Sequence, residues 1–408
     1  MKKERNTFVE KLDNGLTIVG EQTPSSSSAA VGYFVKTGSR DESEVESGIS
    51  HFLEHMLFKG TPSRSALDIS YEMGNLAVKA NAFTSEENTV YYGAVLPEYL
   101  DPFFELLTDM MRPSLAQEEF DMEKKVILEE IALYQDKPGY YLYEHALAHF
   151  YGDNPVGNSV LGTTDSVSAI TSDLMRAYIE RRYAPSNIVL TVAGNFDWDA
   201  FRNKAQQLTA SWAPFEAKRE YSSSSLAATG SVFKKKDITQ THAMLIAQGP
   251  SSQEDLRFPA SVVATILGDS SGSRLYWDIV DKGLAEAASI DVDEKDAQGY
   301  ISFYTVTEPD KIDTVVQIAK DILNQTGDIS DQELERAKTK IASRIVLGGE
   351  LPMGRLMSLG MEWQYREKIH DLDQYVQAVQ DVTGADITEA LARYPIDAMT
   401  EYRLENAA

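Results

Sequence analysis

Cysteine is missing from all 408 residues, which removes disulfides, thiolate nucleophiles, thiolate-bound metals and iron–sulfur clusters from consideration. No run of about 18 apolar residues occurs, so no segment reads as a membrane span. Glycine-rich phosphate loops are missing too. Gly268-Asp-Ser-Ser-Gly-Ser273 contains neither G-x-G-x-x-G nor Gly-Lys-Ser/Thr, and reads as a turn into a helix beginning near Arg274. Positive charge is scarce: 38 Lys and Arg stand against 63 Asp and Glu, a formal charge of −25. Such a chain is a poor match for nucleic acid, whose phosphates a binder must neutralise. It suits cationic partners or a soluble, self-repelling surface. The short run Lys234-Lys-Lys236 reads as a solvated strand end. Met1-Lys2-Lys3 begins like a signal peptide, but Glu4-Arg5-Asn6 and Glu10-Lys11 fill the place of its apolar core. The expectation is a cytoplasmic chain.

With 43% hydrophobic and 25% charged residues the composition is that of a folded globular protein, and the length allows two or three domains of about 150 residues. The segment 214–230, rich in Ser, Ala, Pro and charge without periodicity, reads as a linker between 1–213 and 231–408. The two parts repeat one order of elements. In the first, 31–36 alternates as a strand, 48–57 is helical, 89–95 is β-rich, and 100–111 and 117–134 are helical. In the second, 243–247 and 301–306 are strands, while 258–267, 312–323 and 331–346 are helices. The last helices align without gaps at an offset of 214 (331 − 117), so that Ile127 and Ile131 face Ile341 and Ile345. Ser330 and Glu333 form a capping box there, with Ile329 and Leu334 as its staple. Two copies of one unit, or convergent helix patterning, produce this alignment. The fold class expected is α+β, helices packed on largely antiparallel sheets.

Six histidines are present, and two of them lie in His51-Phe-Leu-Glu-His55. Residues i and i+4 are about 400° apart around a helix, hence on one face, and both imidazoles can reach one Zn²⁺. Glu54 lies beside them as a carboxylate able to take a proton from water, the H-x-x-E-H order of an inverted zincin helix. A third ligand must come from another element. In 117–134, Glu123 and Glu130 are seven residues apart and share a stripe, whereas Glu129 is turned by about 100°. The second copy has Ala337 and Arg344 at those positions, and Ser261 and Thr265 near the positions of His51 and His55. One copy carries the candidate site and the other lacks it. His145 and His149 form a second i, i+4 pair, without a matching carboxylate, and read as part of an amphipathic helix.

His51-Phe-Leu-Glu-His-Met-Leu-Phe-Lys-Gly-Thr61 resembles the zinc helix of the pitrilysin/insulysin family of metallopeptidases. The similarity is strongest to its short branch, with the mitochondrial processing peptidase β subunit and bacterial relatives. It extends over nearly the whole chain, from Leu12-Asp-Asn-Gly-Leu-Thr-Ile18 through Asn81-Ala-Phe-Thr-Ser85 and Val126-Ile-Leu-Glu-Glu-Ile131 to Ser273-Arg-Leu275 and Gly283-Leu-Ala285. The resemblance implies that His51, His55 and Glu130 hold Zn²⁺, that Glu54 activates water and protonates the leaving amine, and that Glu123 orients a ligand histidine. It also implies that Asn81, Ala82 and Phe83 form an edge strand to which an extended peptide adds. Phe58 matches a wall of the pocket beyond the cleaved bond, or is an ordinary core phenylalanine. The sequence departs from the pattern where active members carry an Arg and a Tyr: Ile279 and Glu286 stand there. Arg274 and Tyr276, nearby, read as structural. The expectation is a zinc endopeptidase acting on extended peptides inside a two-chain chamber, as a homodimer or as the zinc-bearing half of a heterodimer. The alternative is a non-catalytic assembly subunit of the core-protein type.

Overall fold

The computed structural model describes residues 4–221 and 226–407; the leader-like Met1-Lys2-Lys3 and the serine run 222–225 of the linker lie outside the described residues. Among the described residues two mixed sheets form. The first comprises β1 (Asn6–Lys11), β2 (Thr17–Gln22), β3 (Ala29–Val35), β4 (Lys79–Thr84), β5 (Thr89–Val95) and β6 (Ile188–Gly194), in the order β1-β2-β6-β3-β5-β4. The second comprises β7 (Ser231–Lys235), β8 (Thr241–Gly249), β9 (Ala287–Lys295), β10 (Gln298–Thr307) and β11 (Thr400–Asn406), in the order β7-β11-β8-β10-β9. Without β1, the two orders are one permutation. Each sheet has one parallel pair, β2–β6 and β7–β11, and is otherwise antiparallel. This shared topology is a stronger sign of duplication than helix patterning, because strand order does not follow from amphipathicity.

The helices repeat as well. Gln117–Gln135 and Asp331–Gly348 start 214 residues apart (331 − 117), and so do Pro138–Tyr151 and Pro352–Arg366 (352 − 138). The Ser330–Glu333 capping box forms, with the Ser330 N–H donating to Glu333 Oε2 at 2.9 Å. Both latter helices open on proline, which suits a first helical turn whose N–H groups have no intrahelical acceptor.

The chain falls into two compact units that interleave in sequence, where the sequence suggests a single cut at 214–230. The first holds the residues up to Ala132, those from Asn158 to the linker, and Leu347–Ile369; the second holds Leu133–Gly157, the rest of the second half to Val346, and the chain from His370. The reason is the sheets' burial. β3 and β6 are buried along their whole lengths, so both faces need an apolar cover. In the first unit one face receives helix Leu100–Met110, whose Phe104 ring lies 6.4 Å from that of Tyr33. The other face receives Leu356 and Leu359 of helix Pro352–Arg366, against Val19, Ala30, Phe34, Val90, Val189 and Ala193. In the second unit, Leu142, Ala146, Leu147 and Phe150 of helix Pro138–Tyr151 pack on Met244, Ile246, Tyr300, Tyr402 and Leu404. Each half of the sequence thus lends one helix to the other half's sheet.

The lent helix of the first unit is also held by charge. Arg355 meets Glu21 of β2 through two donors, Nε at 2.9 Å and Nη2 at 2.7 Å, with the residues 5% and 1% exposed. Gly360 permits the approach, since a Cβ there would stand 2.4 Å from the Phe34 ring. Part of the expected linker is docked rather than free. Arg219 places its guanidinium on Asp41 at 2.7 and 3.0 Å with its side chain 4% exposed, and Arg182 donates to the Lys218 carbonyl at 2.6 Å.

Breaking a buried ion pair on one side strands the other charge, at a cost of roughly 3–5 kcal/mol. Arg355→Ala is expected to lower stability by that amount, and Glu21→Ala/Arg355→Ala by less. Urea unfolding followed by circular dichroism measures both, and an unchanged midpoint for Arg355→Ala would show that the pair does not hold the helix.

Candidate metal centre

The helix Ile49–Met56 is only 8 residues long and starts on Gly48 at φ 89°, a left-handed conformation that suits glycine. A Cβ at Gly48 would lie 2.6 Å from the Leu161 carbonyl oxygen, so glycine is also required by space. Glycine offers no capping side chain. The buried Glu42 carboxylate does that work instead, accepting from the N–H groups of Gly48 at 2.8 Å and Ser50 at 2.7 Å. Burial pushes the Glu42 carboxyl up to about 7, against the hydrogen bonds from Ser50 and Gly48. The Ser50 hydroxyl lies 2.6 Å from Tyr178 Oη, and Phe52, Leu53 and Met56 face the core. With those contacts made, His51, Glu54 and His55 are turned to the opposite side.

Helix Gln117–Gln135 buries Phe120, Glu123, Ile127 and Ile131 on one stripe. Phe120 stacks on Phe52, ring centroids 4.6 Å apart, and this contact fixes the two helices against each other. Glu130 then comes within 3.7 Å of His51 Nε2 and 3.6 Å of His55 Nε2 through Oε2. Donor atoms of His51, His55 and Glu130 all lie within 4.8 Å of one another, the one such group among the described residues. In a tetrahedral zinc site with bonds near 2.0–2.1 Å, neighbouring donors sit about 3.3–3.5 Å apart. The two imidazoles and the carboxylate fit a zinc ion with little adjustment. His55 Nδ1 lies 2.9 Å from Glu123 Oε1, which leaves Nε2 free for an ion; Lys59 Nζ lies 2.6 Å from Glu123 Oε2. His51 differs, for its Nδ1 is buried and meets no partner.

The electrostatics follow from these neighbours. Burial, with a contribution from His55, drives His51 down to about 3, so it stays neutral. Burial opposes charge on His55 as well, but Glu123, Glu130 and Glu54 outweigh it and raise its pKa. Glu123 is held low, the hydrogen bonds to His55 and Lys59 overcoming burial. Glu54 is raised by burial and by Glu130, against the lowering effects of Thr84 and His55. The Thr84 hydroxyl donates to Glu54 Oε2 at 2.6 Å.

The remaining candidate residues fall in different places. Asn81, Ala82 and Phe83 lie in β4, which pairs with β5 alone and ends its sheet; Phe83 packs towards Tyr92. Phe58 is half-buried and packs on the Ile69, Leu106 and Met110 cluster. Glu129 is exposed, turned away from the site. His145 bonds the Tyr141 carbonyl at 2.8 Å and His149 lies 3.3 Å from Tyr402 Oη, both within an amphipathic helix. In the second unit Ile279 is wholly buried in the apolar core, and Glu286 accepts from Gln240 Nε2 at 2.7 Å. Arg274 has a structural place, clamping Glu333 at 2.7 and 3.1 Å. Glu42, Lys59 and Thr84 belong to none of the spacings that mark the candidate ligands. Lys59 alone left a signal, four residues after His55 on the same face.

Residues 17–164 match the sequence profile described as "Insulinase (Peptidase family M16)", and residues 169–341 the "Peptidase M16 inactive domain". An uncharacterized zinc protease of Rickettsia felis is 32% identical over 388 residues, covering 94% of each chain. One of Streptomyces coelicolor is 34% identical over 94% of this chain and 85% of its own. Among solved structures, a Helicobacter pylori protease superimposes with TM-score 0.92 at 21% identity, over 98% of this chain and 100% of that one. A Pseudomonas fluorescens M16 inactive-domain protein gives 0.91 at 18% identity, over 99% and 98%. With identity above 30% across nearly the full length of its relatives and both domain profiles in order, the chain belongs to the insulinase family of peptidases, family M16.

Proposed function

We propose that this chain is a zinc-dependent endopeptidase that cleaves extended or unfolded peptides, with His51, His55 and Glu130 as ligands and Glu54 as the proton-transfer group. The observation that carries the reading is the convergence of those three donors beside a raised, half-buried Glu54. Zinc, when bound, supplies Lewis acidity towards a peptide carbonyl and a water molecule. Glu54 then takes the proton of the attacking water and returns it to the departing amine. Thr84 occupies Oε2, which leaves Oε1 to carry that proton. A raised carboxyl suits both steps, since a group that binds its proton too weakly cannot deliver it to nitrogen. Glu123 keeps the His55 ring turned with Nε2 towards the ion. The unpaired side of β4 accommodates an added strand through main-chain hydrogen bonds, which fits a tolerance for many sequences.

Ile279 and Glu286 favour a division of labour. Ile279, at the arginine position, is wholly buried in the core, and Glu286, at the tyrosine position, has no phenol to offer a substrate and accepts from Gln240 instead. We propose that a second chain, a copy or a relative, completes a cytoplasmic two-chain chamber and supplies the substrate contacts. The non-catalytic reading would be favoured by loss of the ligands, and all of them are present.

Glu54→Gln is expected to keep zinc and to lose peptide cleavage by about 100- to 10,000-fold, the range for removal of a general acid–base group. Metal analysis together with cleavage of an unstructured fluorogenic peptide reads both, and a mutant as fast as the wild type would end the proposal. Cleavage by the purified chain at a rate no related partner changes would remove the shared-chamber part alone.

Zinc affinity is expected to weaken on acidification with a slope near one proton. His51, lowered to about 3, stays neutral, whereas the raised His55 takes up a proton at a higher pH than the ordinary value of about 6.5. Competition titrations against a chromophoric chelator between pH 5 and 8 test this; an affinity flat across that range contradicts it.

A further inference from the structure

Lys59 follows His55 by four residues, and its N–H still bonds the Met56 carbonyl at 3.1 Å, so the turn after the helix keeps both on one side. Its Nζ lies 2.6 Å from Glu123 Oε2, while Glu123 Oε1 lies 2.9 Å from His55 Nδ1. Glu123 is 5% exposed, whereas the Lys59 side chain is 32% exposed. Apart from His55 itself, Lys59 is the one cationic side chain within ion-pair distance of Glu123 among the described residues. A buried carboxylate whose outer oxygen loses its partner turns that oxygen towards water. A Glu123 that turns away leaves the ring free to rotate.

We propose that Lys59 is a positioning residue for the metal site, holding the far oxygen of Glu123 so that the near oxygen fixes His55 with Nδ1 protonated and Nε2 available. The inference rests on the metal-site reading above, and extends it to a side chain that touches neither the ion nor the substrate.

The test is a double-mutant cycle read by zinc affinity, with zinc alone as the probe and a chelator as competitor. Lys59→Met is expected to weaken zinc binding by about 10- to 100-fold, as loss of ligand-orienting partners does. Lys59→Gln, which keeps a polar head, is the second variant and should weaken it in the same direction. In the Glu123→Gln background neither substitution should add more than about 2-fold, because the charge that Lys59 balances is gone. Thermal unfolding of the metal-free proteins should change little, the lysine side chain being 32% exposed. Equal affinity in wild type, Lys59→Met and Lys59→Gln would overturn this inference while leaving the metal site intact. A loss as large in the Glu123→Gln background would overturn it too, since Lys59 would then act through something else. A wild-type chain that takes no zinc would overturn both this and the reading on which it rests.

Discussion

The candidate site depends on two hydrogen bonds, those that Glu42 accepts from the Gly48 and Ser50 N–H groups. A helix of two turns has no stability of its own in water, and its direction must be imposed from outside. Glu42 fixes the first turn, Ser50 continues the anchor to Tyr178, and Phe52 locks on Phe120 of the second ligand helix. Rotating this helix by one residue, about 100°, would carry both imidazoles off the face that meets Glu130. The position of Glu130 has meaning only because that rotation is prevented.

Much of this was legible in the sequence, and the rest was hidden for physical reasons. Helical and strand periodicity located the elements because each buries one stripe or face. The candidate ligands were legible because i, i+4 histidines and carboxylates seven apart are matters of a single helix's geometry. The exchange of helices was not, since a helix's apolar stripe does not say which sheet it covers. Arg219 sits in a segment without periodicity, yet its charge is buried on Asp41, a contact made 178 residues away in sequence. Thr84 reaches Glu54 across 30 residues, from a strand whose own pattern shows only alternation. Such pairings are set by tertiary distance, which spacing along the chain does not encode.

The duplicated units show how one frame carries two chemistries. At the position of Glu130, 214 residues on, stands Arg344, which donates to Thr265 Oγ1 at 3.3 Å and lies 3.4 Å from Asp269. Lys340 also reaches Asp269, at 3.1 Å. Where the first unit gathers imidazole and carboxylate with room for a cation, the second supplies its own cations from side chains. The second unit therefore retains the helix pair and the sheet without demand for an ion.

The exchange of helices has a consequence for synthesis. The helix that closes the first unit's sheet begins at Pro352, so a nascent chain presents β3 and β6 with one apolar face bare until that helix has been made. Contacts that distant in sequence form late and slowly. The first unit thus has a built-in delay, in which a chain released early from the ribosome leaves an uncovered sheet for chaperones or proteases rather than a finished fold.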